Sequence, residues 1–303
     1  MPARVVFLRK SLYQCPRNAT GTSMKTAHKI AVAKALHHLV RAGRGIAGRP
    51  DRGIFKRRGI VYELDLSEGI DLAIYLGAMF ERRTTVALGR LVKPSSLVVD
   101  VGANIGAHTL TLAKLVGPKG RVMAFEPTDF AYRKLRRNLD LNPQIAVRVE
   151  TRHCFLTNHD GAGVPHAIYS SWPLTTEQGL HPKHLGREMQ TGAVQARSLD
   201  SVLSERADRP VQLVKLDVDG FECDVLGGAI SMLREARPVF VMELAPYSLQ
   251  ERGSSLDEML SYFIPNGYAF YTLRTRRRLP STANDLQRMI GDGASMNVVA
   301  RAD

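Results

Sequence analysis

Residues 97–126 read LVVDVGANIGAHTLTLAKLVGPKGRVMAFE. Leu97, Val98, Val99 and Val101 form a short β-branched run suited to a strand buried on both faces, with Asp100 near its end. Gly102 and Gly106 then bracket Ala103-Asn104-Ile105, a turn permissive of positive φ and of close backbone approach. Leu110, Leu112, Ala113, Leu115 and Val116 follow at helical spacing, and Gly117-Pro118 ends the helix. Val122 to Phe125 make a second strand, with Glu126 at its tip. Strand, glycine turn, helix, strand and acid form the first half of a nucleotide-type α/β sheet, whose ligands lie beyond the carboxyl ends of the strands. An acid about twenty residues past the turn is placed to take ribose hydroxyls.

The glycines are spaced G-x-x-x-G and lack the middle glycine that brings backbone against a pyrophosphate. A ligand with a ribose but no phosphate fits better. Together with KLDVDGFECDVLGGA at 215–229 and RPVFVMEL at 237–244, this stretch resembles the FkbM family of S-adenosylmethionine (SAM)-dependent O-methyltransferases, of class I, over about Ile54 to Ala300. The resemblance implies a Rossmann-like, mostly parallel, doubly wound sheet of about seven strands. It also implies SAM as cofactor, held by Glu81, Asp100, Gly102, Ala103, Asn104, Gly106, His108, Thr109, Glu126 and Pro127. The family usually writes K-x-D-x-E-G where this chain has Lys215, Asp217 and then Asp219, one methylene shorter.

The formal charge of +13 would suit a nucleic-acid partner, but it is not spread along the chain. Residues 1–59 hold 14 of the 42 Lys and Arg against the single acid Asp51, so the rest of the chain is neutral. The catalytic body therefore gives no electrostatic sign of a polyanionic substrate. The 44% hydrophobic content can fill one sizeable core, and no stretch approaches the roughly 18 apolar residues of a membrane span. Basic residues interrupt the apolar runs of the first 15 positions before a secretory core can form, and Cys15, Cys154 and Cys223 are odd in number and scattered. A soluble protein of a reducing, cytoplasmic compartment is expected.

Residues 1–53 read as a basic arm, loosely ordered apart from a helix over Thr26–Val40. That helix puts Ile30, Ala33, Leu36 and Val40 on one stripe, with Lys29, Lys34 and His37 elsewhere. The arm suits peripheral contact with the inner face of a membrane, docking on a partner, or a solvated leader. Residues 54–96 read as a hairpin (Ile60, Tyr62, Leu64 and Leu66 alternating with polar residues) and a helix over Ile70–Val92. In the family such a cap covers the cofactor. Residues 97–303 then form the core. Helices are expected over Phe130–Leu141, with Asp129 as cap, over Ser198–Leu203, over Glu222–Leu233 and over Ser255–Ile264. Further strands are expected at Ile145–Val149, Val211–Val218, Pro238–Leu244, Tyr268–Leu273 and Ser295–Ala300. Residues 151–196 interrupt this rhythm with five of the nine histidines and the only tryptophan, Trp172, and are assigned to substrate selection.

Methyl transfer needs an acceptor held in line and, for a hydroxyl, a base to remove its proton. Asp217 and Lys215 at the end of the fourth strand, and His181 and His184 in the inserted segment, are the catalytic candidates. Asp217, Asp219 and Glu243 converge if strands one, four and five are neighbours, and form a weak candidate set for a divalent metal. The chain lacks the Asp-Pro-Pro-Tyr run typical of amino methyltransferases, which favours oxygen as acceptor. A sugar, glycolipid or related small molecule is the first expected acceptor. RNA methylation using the basic arm, or a catalytically silent SAM-binding protein marked by Asp219, are the alternatives. Oligomeric state is not fixed by these residues.

Overall fold

The computed structural model describes residues 26–77, 81–170, 173–174, 180–181 and 186–303. The chain opens with helix α1 (Thr26–Ile46), a hairpin of β1 (Arg52–Arg57) and β2 (Ile60–Asp65), and helices α2 (Gly69–Tyr75) and α3 (Arg82–Leu91). The α/β core follows with β3 (Leu97–Val101), α4 (Ala107–Leu115), β4 (Arg121–Phe125), α5 (Asp129–Asp140), α6 (Pro143–Ala146) and β5 (Val149–Arg152). The inserted segment contributes β6 (Cys154–Leu156), β7 (Ala167–Ser170), β8 (Arg187–Gln190) and β9 (Gln195–Arg197). The second half runs α7 (Leu199–Arg206), β10 (Val211–Leu216), α8 (Glu222–Gly227), α9 (Ile230–Glu235), β11 (Val239–Leu244), α10 (Pro246–Glu251), α11 (Leu256–Phe263), β12 (Tyr268–Thr272), α12 (Ala283–Ile290) and β13 (Met296–Ala302).

Seven strands form one sheet in the order β12-β13-β11-β10-β3-β4-β5. All neighbours from β11 to β5 are parallel, and β13 runs against both β11 and β12. Every residue of β3 is buried. Its alternation assigns the two faces: Leu97, Val99 and Val101 pack with Phe240, Met242 and Leu226, whereas Val98 packs with Leu112, Ala113 and Val116 of the glycine-turn helix. The order reverses between β3 and β10, so the crevice beyond their carboxyl ends is the switch point where such sheets take ligands.

Several boundaries differ from the sequence reading, each for a tertiary reason. The third strand begins at Val149, because Pro143–Ala146 coil into a short helix after Asn142. The helix expected over Glu222–Leu233 breaks at Gly227-Gly228, where the Thr157 carbonyl would lie 2.1 Å from any Cβ at position 228. The helix expected over Ile70–Val92 is two helices, and Met79 and Phe80 within that span lie outside the described residues. Helix α5 starts at Asp129 with Thr128 at its cap position.

Helix α1 is longer than the expected span and is seated on the body. Ala33, Leu36 and Val40 pack against the cluster built from Ile60, Tyr62, Leu64 and Leu66. The Arg44 guanidinium lies 5.2 Å and 5.5 Å from the ring centroids of Phe55 and Tyr75 and donates to the Tyr75 hydroxyl. His37 belongs to the seated face and is 2% exposed, a correction to its assignment among the outer polar residues.

Candidate functional site

The glycine turn after β3 is shaped first by the chain itself. Gly102 has φ +75° and lies so close to the end of β10 that a Cβ would fall 1.9 Å from the Asp217 carbonyl oxygen. At Gly106, φ is +90° and a Cβ would meet Leu135 at 2.7 Å. Both glycines are thus demanded by positive φ and by packing, and the close approach at Gly102 is to the neighbouring strand. Ala103 is buried in the same cluster as Leu135, and Asn104, at φ 47°, folds its side chain back to accept from the Ile105 N–H.

Beside the turn stands Glu126, at 3% exposure. The Asn104 N–H donates to Oε2 at 2.8 Å, and Thr128 donates its N–H and hydroxyl to Oε1 at 3.0 Å and 2.6 Å. Burial pushes the Glu126 carboxyl up, while these bonds oppose the shift. Three donors orient a carboxylate that has about four acceptor sites, leaving capacity for a ligand hydroxyl. Thr128 is thereby committed to Glu126, which explains why α5 starts without a side-chain cap. Pro127 presents its carbonyl to His153 Nε2 at 3.2 Å.

Asp100 is fully buried and accepts from the Thr109 hydroxyl at Oδ2, 2.7 Å away. Its Oδ1 has no hydrogen-bond partner among the described residues and lies 3.6 Å from Lys215 Nζ. An unfilled buried acceptor beside an ordered Glu126 fits the amino group and ribose of SAM, and these are the residues that would hold it.

Lys215, 4% exposed, is a fastening. Its ammonium donates to the Gly102 carbonyl at 2.9 Å and sits 3.5 Å from Asp217 Oδ2. Burial alone would lower its pKa, but Asp217, Asp100 and Glu81 outweigh burial and hold it charged. It therefore carries no basic lone pair, and ties the glycine turn to β10. Across the turn His108 Nε2 meets Glu81 Oε2 at 2.9 Å. Burial raises the Glu81 carboxyl, yet His108 and Lys215 prevail and bring it down to about 2. Glu81 has φ 39° at the start of α3, so the pair fastens that helix over α4.

The acids at the ends of β10 and β11 have a different setting. Asp217 keeps 32% of its side chain exposed, and burial with Glu81 nearby raises it against the pull of Lys215. Asp219, at φ 51°, is exposed at the turn after β10, and reduced solvation together with the charges of Asp217, Glu243 and Glu222 pushes it well up. Glu222 accepts from the Val218 N–H, and burial pushes it up to about 7. Glu243 accepts from the Ser295 hydroxyl. The three strands expected to be neighbours are adjacent in the sheet. Among the described residues, no three His, Cys, Asp or Glu side chains are grouped as a metal site requires, so Asp217, Asp219 and Glu243 do not form one.

The inserted segment reaches the glycine turn. Its β7–β8 hairpin is tied to the glycine turn where Asn104 Nδ2 donates to Ser170 Oγ at 3.2 Å. Next to Ser170, the Tyr169 ring packs edge-on against His181, centroids 4.8 Å apart. His181 Nε2 lies 3.6 Å from Glu251 on α10, whose Ser248 carbonyl presses on Gly220 of the Asp219 turn. His181 thus contacts Tyr169 of the hairpin and Glu251 of α10. His184 and Trp172 lie outside the described residues. Sequence reasoning missed Ser170, Thr128, Glu222 and Glu251. Only Thr128, two positions past the strand-tip acid, carried a local signal.

Residues 100–270 match the family model described as methyltransferase FkbM domain. The chain is 28% identical over 169 residues to the 2-O-methyltransferase NoeI of Sinorhizobium fredii, covering 53% of this chain and 67% of that protein. It is 30% identical over 181 residues to the 31-O-demethyl-FK506 methyltransferase FkbM of Streptomyces tacrolimicus, covering 50% and 65%. The crystal structure of methyltransferase FkbM from Methylobacillus flagellatus aligns with a TM-score of 0.43 at 19% identity, over 74% of this chain and 47% of that one. The match spans about two thirds of the length of each of these two relatives. With the switch-point crevice, the strand order and a match over more than half its length, the chain has the class I methyltransferase fold and belongs to the FkbM methyltransferase family.

Proposed function

We propose that this methyltransferase moves the methyl group of SAM to a hydroxyl oxygen of a sugar, glycolipid or related small molecule. The observation that carries the reading is the β7–β8 hairpin, which is bonded to the glycine turn through Ser170 and bears His181 against Glu251 beside the Asp219 turn. It supports a histidine with a neighbouring carboxylate as the proton acceptor on the segment bonded to the glycine turn. The two named relatives, by their names, are O-methyltransferases, which supports oxygen as acceptor.

When bound, SAM supplies a methyl carbon activated by its sulfonium. Glu126 would hold the ribose and Asp100 the amino group, with Lys215 fixing the turn between them. His181, beside Glu251, would take the proton of the acceptor hydroxyl while the sulfonium sulfur leaves with its bonding pair. Asp217 and Asp219 line the polar side of the crevice and hydrogen-bond the other hydroxyls of the acceptor. The test is transfer from labelled SAM into extract fractions. Label in the glycan or lipid fraction is expected. Label confined to RNA would replace this reading with the nucleic-acid alternative, and no label in any fraction would favour a binding protein.

A further inference from the structure

Helix α1 has two apolar faces, and among the described residues one of them packs on the body. Ala33, Leu36, His37 and Val40 are seated on the body. Val32, Leu39 and Ile46 are 45%, 71% and 91% exposed. They are spaced by sevens, and since seven residues make nearly two turns they line up within about 20° per step over a length of about 21 Å. The small residues Ala35 and Ala42, both exposed, continue that strip, and beyond them come Lys34, His38 and Arg41, the last paired with Asp51 at 3.5 Å. The helix contains no acid. The outward side of β1 repeats the chemistry with Arg52, Ile54 and Lys56, and Ile54 is 57% exposed.

We propose that the outer face of α1 docks on an anionic lipid bilayer, with Val32, Leu39 and Ile46 entering the boundary between headgroups and acyl chains and the flanking cations meeting the headgroups. The face has the two halves that interfacial binding requires, an apolar strip and a basic strip side by side. A second copy of this chain would set two acid-free cationic helices against each other, which like-charge repulsion opposes. Nucleic acid would use the bases and leave Val32, Leu39 and Ile46 without a role. The inference stands apart from the acceptor assignment, and it orients the enzyme whatever its acceptor.

The experiment is sedimentation of the full chain with phosphatidylcholine vesicles and with vesicles also containing phosphatidylglycerol. Binding to the anionic vesicles, weakened by added salt, is expected. The triple variant Val32→Ser, Leu39→Ser, Ile46→Ser should weaken it on the order of 100-fold with an unchanged melting temperature. Because that variant alters a helix face, Lys34→Glu with His38→Glu tests the charged half separately and should abolish the preference for anionic over neutral vesicles. Equal sedimentation with both vesicle types, or undiminished binding by the triple variant, would overturn the proposal. So would a concentration-dependent dimer, or RNA binding, that is lost in the triple variant while vesicle binding persists.

Discussion

The two sides of the crevice handle their carboxylates in opposite ways. On the β3–β4 side, Glu126 is surrounded by donors from Asn104 and Thr128, and Asp100 is flanked by Thr109 and Lys215. On the β10–β11 side, Asp217, Asp219, Glu222 and Glu243 crowd one another, with Lys215 as their nearby cation. Donors fix the orientation of a carboxylate and oppose the rise in its proton affinity that burial brings, as at Glu126. Like charges set close together raise each other's affinity for protons. The same residue type is held in one orientation on one side and shifted by its neighbours on the other.

That contrast can be broken in four ways. The largest effect is expected at His181, where replacement by Ala should lower turnover on the order of 10² to 10⁴ while SAM affinity, measured by calorimetry, is unchanged. A fully active variant would remove the base from the hairpin. Next comes Lys215→Met, which leaves Asp100 and Asp217 without their shared cation. Loss of one partner of a buried ion cluster costs about 3 to 5 kcal/mol, read as a lower denaturant midpoint. A midpoint at the native value would mean that Lys215 is not the fastening between turn and strand.

The third concerns pH. Glu222 is pushed up from 4.5 to about 7 on folding, so between those values the folded chain holds a proton that the unfolded chain releases. Its contribution is therefore fully present below pH 4.5 and is lost as pH rises through about 7. Glu222→Gln should flatten the fall in stability across that window, by up to about 3 kcal/mol at pH 8. A pH profile identical to that of the native chain would contradict the crowding on this side. The smallest effect belongs to the donor-rich side: Glu126→Gln keeps the shape and loses one charge-assisted interaction, about 1.5 to 3 kcal/mol of SAM affinity. Unchanged SAM binding would show that Glu126 only braces the turn through Asn104 and Thr128.

The donor-rich side was also the legible side, and for the same reason. Its strand, turn, helix and acid are contiguous, and their chemistry follows from spacing within 97–126. Asp217 and Glu243 could be set at strand ends from their own runs. Whether they met depended on strand order, which the sequence supported only through the family resemblance. Glu251 gave no signal, because its meaning depends on His181, 70 positions earlier in the chain and brought to it by the inserted hairpin. His37 misled for a similar reason: helical periodicity gave it an outer position, but the body wraps far enough around α1 to bury it.

The sequence by itself determined the α/β alternation, the central strand, the glycine turn and the acid at Glu126, because each follows from local periodicity and backbone preference. The seam between Gly102 and Asp217, the break at Gly228 and the crowding around Asp219 were decided only by the tertiary structure. So were the seating of α1 and the exposure of its second apolar strip. All of these are contacts between segments far apart in the chain, and no local pattern encodes which surfaces will meet.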